Sequence, residues 1–256
     1  MSTLSNAMQV LQLIVRLRRD ISVTDLATQL DIPKSSASRT LSQMSQHGFL
    51  ERDPVTRAYR PGKIIMEASF HLRSSRSALS LIEAQLDRLV QETGYTLYVD
   101  LLDGADSLVI QMRIGGGSLQ VYTPPGTRLP AYSTSVGRAI LARLDDERVL
   151  RLVSGSMQAR ANPDALQTPK ELLTRLAEIR RRGWSLARGE FVANVAGIST
   201  SLEDPDTHQI YGLSIALPSQ DLTESRINDF SQALVTATRD IGQQIGDPYW
   251  LDFRAS

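Results

Sequence analysis

The strongest constraint on this chain sits in its first sixty residues, where three helix-length apolar patterns run directly into a short arginine-rich hairpin pattern. Met8, Leu11, Ile14 and Val15 recur at helical spacing and predict a first amphipathic helix ending near Arg18 and Arg19. Ser22-Val-Thr-Asp25 reads as an N-cap with an acid three positions on, just before the apolar Leu26, Ala27 and Leu30 of a short second helix. Asp31-Ile32-Pro33 is a tight turn, and Pro33 suits the first turn of a third helix, where its missing N–H goes unused. Along that third helix Ala37, Leu41 and Met44 share one face, Lys34, Ser35, Ser38, Arg39 and Ser42 fall largely on another, and Gly48 ends the run. Phe49–Arg52 and Arg57–Arg60 then read as two strands around the turn residues Asp53-Pro-Val-Thr56.

Two short helices joined by a few residues, the second polar and basic outside, make a helix-turn-helix. Small hydroxyl residues let such a helix approach a major groove closely, while Lys34 and Arg39 have the reach for phosphates or guanine edges. The helices alone fit a small bundle with a solvated serine-rich face equally well. The hairpin shifts the balance, because a wing carrying Arg52, Arg57 and Arg60 is placed as backbone- or minor-groove-contacting side chains would be. Charge agrees: residues 1–76 hold 11 Lys and Arg against 6 Asp and Glu, and residues 77–256 hold 17 against 22. The absence of cysteine excludes disulfides, thiolate nucleophiles and zinc-thiolate sites. His47, His71 and His208 match no ligand spacing, so neither metal nor cofactor is expected. With no secretory layout and no bilayer-length apolar run, the expectation is a soluble cytoplasmic protein with no membrane association.

Pro61-Gly62 breaks the pattern, and Lys63–Ser75 reads as a helix with Ile64, Ile65, Ala68 and Leu72 as its apolar residues. Polar Ser74–Ser77 marks a domain boundary, giving a winged helix over 1–61, a linker helix over 62–77 and a second domain over 78–256. The helix over 78–93 carries Leu79, Ile82, Leu86, Leu89 and Val90, a stripe that suits either a dimer seam or packing onto its own domain. Strand patterns follow at Tyr95–Leu102, Leu108–Ile114 and Leu119–Thr123, then at Trp184–Arg188, Ile198–Leu202 and Ile210–Leu217. Helices are expected near 145–153 and 169–182, and a long final one from Thr223 to about Ile245. Gly115-Gly-Gly117 lacks the Gly-Lys-Ser/Thr of a phosphate loop and reads as a hairpin tip. After Pro124-Pro-Gly126, a Ser/Thr-rich turn runs straight into a helix, whose N–H groups suit a carboxylate. Interleaved strands, hairpins and helices indicate an α+β fold.

Leu30-Asp-Ile-Pro-Lys-Ser-Ser-Ala-Ser-Arg-Thr-Leu41, with Gly48–Asp53 and Tyr59–Gly62, resembles the winged helix of the IclR family of bacterial regulators. The remainder resembles that family's GAF/PAS-like effector-binding domain at Leu129–Ala142, Gly183–Glu190, Val195–Ile198 and Gly212–Ala216. The resemblance implies a one-component, non-enzymatic transcriptional regulator, with repression as the working expectation although members act in both directions. It implies double-stranded operator DNA and a small-molecule effector as partners, and a homodimer with a homotetramer as the higher assembly. DNA contacts would come from Lys34, Ser35, Ser36, Ser38, Arg39, Thr40, Arg57 and Arg60. The effector would lie among Ser133, Ser135, Val136, Gly137, Arg138, Gly197, Ser199, Ser214 and Ala216. Leu129–Ser135 with Gly137-Arg138 is similar to the branch serving aromatic-acid catabolism, which implies a small aromatic or aliphatic acid as effector. The chain departs from the family's usual pattern at Tyr132, where His is common, at Arg138, where Lys is common, and at Arg188-Gly189, where an acidic pair is common. Arg188, if turned inward, would favour an anionic effector, and Arg138 has a second reading as a helix-surface ion pair.

Two rival classes remain: a small-molecule enzyme with an incidental helical N-terminus, and a sensor acting on a protein partner. No Gly-x-Ser-x-Gly elbow, P-loop or dinucleotide fingerprint is present, and Glu203-Asp204 and Asp145-Asp146 sit beside turn or cap signals. The serine- and arginine-bearing third helix with its basic wing speaks against the sensor.

Overall fold

The computed structural model describes residues 3–17, 19–73, 78–117, 121–155, 157 and 165–253. The chain divides into two units, residues 1–75 and 76–256.

In the first unit, α1 (Thr3–Leu17), α2 (Val23–Leu30) and α3 (Lys34–Gln46) enclose a core in which Val10, Leu13, Leu26, Ala37 and Leu41 meet. The capping box at α2 forms as the sequence predicts. Ser22 Oγ accepts the Asp25 N–H at 3.1 Å, and the Asp25 carboxylate accepts the Ser22 N–H at 2.8 Å. Arg19, bound to Asp25 at 2.8 Å, holds that carboxyl well below the usual range, helped by the Ser22 N–H. Pro33 sits one place earlier than expected, as the N-cap of α3.

Strands β1 (Leu50–Arg52) and β2 (Tyr59–Pro61) form an antiparallel wing shorter than the sequence pattern suggests. Asp53 Oδ1 accepts the N–H groups of Val55 and Thr56 at 2.9 and 2.7 Å, and Arg57 adopts a left-handed φ of 62°, so Arg57-Ala58 belong to the turn. Tyr59 also exchanges two backbone hydrogen bonds with Ile21, which fastens the wing to the chain ahead of α2. Gly62 lies against the start of the wing: a Cβ there would stand 2.2 Å from Gly48 O. Helix α4 (Lys63–Arg73) follows, with Ile64 and Met66 exposed. The side chain of Leu72, and the expected boundary at Ser74–Ser77, lie outside the described residues.

The second unit is built on a six-stranded antiparallel sheet in the order β5-β4-β3-β8-β7-β6. Its strands are β3 (Thr96–Asp103), β4 (Asp106–Arg113), β5 (Arg128–Pro130), β6 (Ser185–Arg188), β7 (Val195–Asp204) and β8 (Gln209–Pro218). One face packs on α5 (Ala78–Thr93) and α9 (Glu224–Ile245). There Leu97, Val99, Leu213, Ile215 and Ile198 meet Ile82, Leu86, Leu89 and Leu234. Each such fully buried side chain contributes about 1.5–3 kcal/mol. The α5 stripe is therefore spent on its own unit and is no dimer seam. The opposite face carries a 3₁₀ turn (Ala131–Ser133), α6 (Ser135–Leu141), α7 (Asp146–Val153) and α8 (Pro169–Arg182).

One expectation fails in this unit. Val121–Thr123 form no strand, and residues 118–120 lie outside the described set. Pro124-Pro125 supply no N–H for a ladder, and the segment is pinned instead by Tyr98, whose hydroxyl donates to Val121 O and accepts the Thr123 N–H at 3.1 Å. The strand forms later, as the short edge strand β5, where Pro130 needs no ladder donor. An unanticipated helix, α10 (Pro248–Asp252), buries Trp250 over Gly242, and the indole N–H donates to Ser201 O at 2.8 Å.

Candidate functional site

Helix α3 presents two faces because its apolar residues recur at three- and four-residue spacing. Ala37, Leu41 and Met44 enter the core, while Lys34, Ser35, Ser36, Arg39 and Gln43 stand exposed and Ser38 is half-buried. Among the described residues neither Lys34 nor Arg39 has an ion-pair partner. On the wing Arg57 is exposed, Arg52 stacks over the Tyr59 ring at 5.5 Å, and Arg60 pairs with Glu51 directly across the strands at 3.4 Å. That exposed pair is worth little in water, so an anion of higher charge density can displace Glu51.

The second unit holds a cavity of about 660 Å³, open mouth included, between its sheet and the segment running from β5 into α6. Alternation along the strands selects the lining: Tyr98 and Asp100 from β3, Gly197 from β7, and Ser214 and Ala216 from β8 face it, while their neighbours fill the core behind. Ser133, Ser135 and Val136 form the opposite wall, and Glu190, Phe191, Val192 and Val195 the rim. The α6 backbone lies close because Gly137 leaves room: a Cβ there would stand 2.2 Å from Ala131 O. Thr134 caps α6 by accepting the Gly137 N–H at 3.0 Å, which consumes one of the donors the sequence offers to a carboxylate. Ser135 and Ser199 share a hydroxyl–hydroxyl bond of 2.7 Å, and Ser201 Oγ donates to Ala139 O at 2.7 Å, tying α6 to β7.

A buried ion pair stands behind this wall. Arg138, fully buried, grips both oxygens of Glu190 at 2.5 and 3.0 Å and donates to Leu186 O at 2.8 Å. Removing one member would strand the other charge in a low-dielectric interior. Asp100 is the other carboxyl on the wall and is 1% exposed. Burial pushes it up to about 7, only partly offset by the Ser107 hydroxyl.

Family profiles match both units. The profile described as IclR helix-turn-helix domain covers residues 3–54, and that of the bacterial transcriptional regulator IclR C-terminal region covers residues 72–243. The chain belongs to the IclR family. As an IclR-family member it is a transcriptional regulator, with a DNA-binding helix-turn-helix and an effector-binding region, and not an enzyme. It is 23% identical to the HTH-type transcriptional regulator XynR of Escherichia coli over 246 residues, 96% of this chain and 98% of that one. It is 24% identical to the transcriptional repressor IclR of Escherichia coli over 241 residues, 93% and 88% of the two chains. It shares its fold with an IclR homologue from Microbacterium hydrocarbonoxydans, crystallised with 4-hydroxybenzoate, at 23% identity and a TM-score of 0.80, covering 96% and 99% of the two chains.

For this IclR-family chain, the geometry brings most of the sequence-predicted residues together and separates a few. Ser133, Ser135, Val136, Gly197, Ser214 and Ala216 share the cavity wall. Gly137, Arg138 and Ser199 do not: Gly137 is a packing position, Ser199 is bonded to Ser135, and Arg138 is held by Glu190. Arg138 is also no helix-surface pair, since α6 is buried along its whole length. Arg188 does not turn inward. It lies on the α9 side of β6 and donates to Leu222 O at 3.2 Å. In the first unit Thr40 is only 7% exposed and packs inward, so it leaves the outward-facing set. The sequence reading missed Gln43, four residues beyond Arg39 on the exposed side, which helical spacing alone could have found. It also missed Tyr98, Asp100 and Glu190. Strand alternation hints at the first two, but nothing local marks which side of β3 faces a cavity.

No described helix is long and apolar enough to cross a membrane, and among the described residues no cluster of His, Asp and Glu suits a metal ion.

Proposed function

We propose that this regulator works in the cytoplasm as a one-component switch in which α3 enters the major groove of an operator and a small organic molecule occupies the cavity of the second unit. Ser35, Ser36, Ser38 and Arg39 read base edges, while Lys34, Arg57 and Arg60 hold phosphates. The observation that carries this reading is the α3 face itself: small hydroxyl side chains flank two exposed cations, beside a wing with three more. Residues 62–77 serve as the connection through which cavity occupancy alters operator affinity.

The effector is a small organic acid with an apolar body, in keeping with the 4-hydroxybenzoate held by the Microbacterium hydrocarbonoxydans homologue. Val109, Val121, Leu129, Val136 and Phe191 supply apolar walls here, and the Ser133 and Ser214 hydroxyls lie among them. Among the described residues no lysine or arginine lines the cavity, and the Ser133 hydroxyl already donates to Pro130 O, so the carboxylate is received by the Ser214 hydroxyl and backbone donors.

The protein acts as a homodimer, the arrangement a two-fold operator requires. Leu4, Met8 and Val15 stand more than half exposed on α1 at helical spacing, which supports a second copy packing there. Met8→Glu is expected to shift the protein toward monomer in light scattering.

The deciding test is fluorescence anisotropy on the promoter flanking its own gene, at two salt concentrations, with and without aromatic and aliphatic acids. Tight, salt-sensitive binding changed by one acid is expected. Specific binding indifferent to every acid would remove the effector class, and a genome-wide search that finds no specific site would sink the DNA reading.

A further inference from the structure

The cavity wall contains a feature that an acid effector alone does not use. Asp100 Oδ1 is buried and has no hydrogen-bond partner among the described residues, although it belongs to a residue lining the cavity. A buried acceptor left without a donor is costly, and a charged one more so. The strand on one side offers no relief, because Asp100 sits opposite Gly212, which has no side chain, and Val136 and Ile140 press on that glycine. On the other side its register partner is Val109, at an irregularity between Val99 and Asp100. The Ser107 hydroxyl, which tempers the Asp100 carboxyl, donates to Leu129 O at 3.4 Å, and the Tyr98 hydroxyl, two residues away on the same face, already donates to Val121 O. Glu190 is the other carboxylate of the wall, and both its oxygens are taken by Arg138. A ligand entering here therefore meets an apolar chamber whose least satisfied atom is a carboxyl oxygen.

We propose that Asp100 is the specificity-determining residue of the cavity, selecting effectors that carry a hydroxyl or amine directed at its Oδ1. This rests on the reading of the cavity as the effector site and adds to it a second polar group on the ligand. A donor there satisfies the stranded oxygen, whereas an ether, fluoro or methyl group leaves it desolvated and unpaired, a difference worth roughly tenfold or more in affinity. Ligand binding then also moves protons. Burial leaves Asp100 near 7, Tyr98 and Glu190 are the other titratable groups on the wall, and Arg138 stands behind Glu190. A donor that stabilises the carboxylate releases up to about half a proton per site at neutral pH.

The test is a ligand-observed NMR screen of the full chain with fragments built as matched pairs. Each fragment with a phenol hydroxyl or an aniline-type amine, such as 4-hydroxybenzoate or 4-aminobenzoate, is set against its methyl ether or its N,N-dimethyl counterpart. The expected result is a tenfold or greater preference for the donor members that shrinks in Asp100→Asn and vanishes in Asp100→Leu. Calorimetry in two buffers of different ionisation enthalpy should show proton release in the parent and none in Asp100→Asn. Equal binding of both members of each pair, no donor hit at all, or a preference that survives Asp100→Leu would each overturn the proposal. The cavity-filling variants Val195→Phe and Ala216→Phe separate the underlying reading: ligands that bind them as they bind the parent sit elsewhere, and the effector-cavity reading fails with them.

Discussion

The outer face of α3 and the cavity wall are both polar sites on apolar scaffolds, yet they are assembled in opposite ways. The α3 face comes from one continuous helix and leaves Lys34 and Arg39 exposed. The wall draws on β3, β4, β7, β8 and the segment leading into α6, and buries nearly everything it uses. A surface site spends little folding energy and can be changed residue by residue. A buried site is entangled with the stability of its unit, so its mutations report on folding and binding together.

The largest effect should come from the buried pair. Arg138→Ala is expected to destabilise the protein by about 3–5 kcal/mol by leaving Glu190 buried and unpaired. Thermal unfolding will show this, and a loss below about 1 kcal/mol would mean that Glu190 reaches solvent and the wall is not closed there.

Asp100 tests the same contrast through pH. Its folded-state value, near 7, lies above the ordinary carboxyl range. The stability linked to it is therefore fully present below about pH 4 and is lost as pH rises through about 7. Asp100→Asn should remove that loss, flattening the stability–pH curve between these limits by a few kcal/mol at most. An unchanged curve from denaturant titrations at pH 5 and pH 8 would show the carboxyl to be solvated.

On the exposed side the expected effects are smaller and touch binding instead of folding. Arg39→Ala should cost about 1–3 kcal/mol on the operator with the melting temperature nearly unchanged. An equal loss on operator and random DNA would make it a phosphate contact. Smallest is the cap: Ser22→Ala should lower stability by about 1 kcal/mol in chemical denaturation, because Asp25 N–H loses its acceptor.

Legibility followed the same division. The capping box at Ser22 and Asp25, the turn before α3 and the two faces of α3 could be read directly, because each depends on residues within four positions of one another. Where the reading of that region erred, packing and a local side-chain turn outweighed periodicity. Thr40 is drawn into the core by packing, and the wing is shortened by the Asp53 side chain. In the cavity the residue types flanking α6 were legible, but their roles were not. Arg138 and Glu190 lie 52 positions apart in the sequence, and no periodicity joins them.

The sequence by itself determined the order of elements, the winged helix-turn-helix and the α+β character of the remainder, since these are carried by short-range spacing and turn chemistry, while the resemblance of its two halves to one family rested on their motifs. Only the tertiary structure decided which polar residues are used up inside the molecule and which remain for a ligand. Hydrogen-bond satisfaction is a property of three-dimensional neighbours: Arg138 and Ser199 are consumed by partners far along the chain, Gly137 by close packing on Ala131, and Asp100 keeps an oxygen that has no hydrogen-bond partner among the described residues.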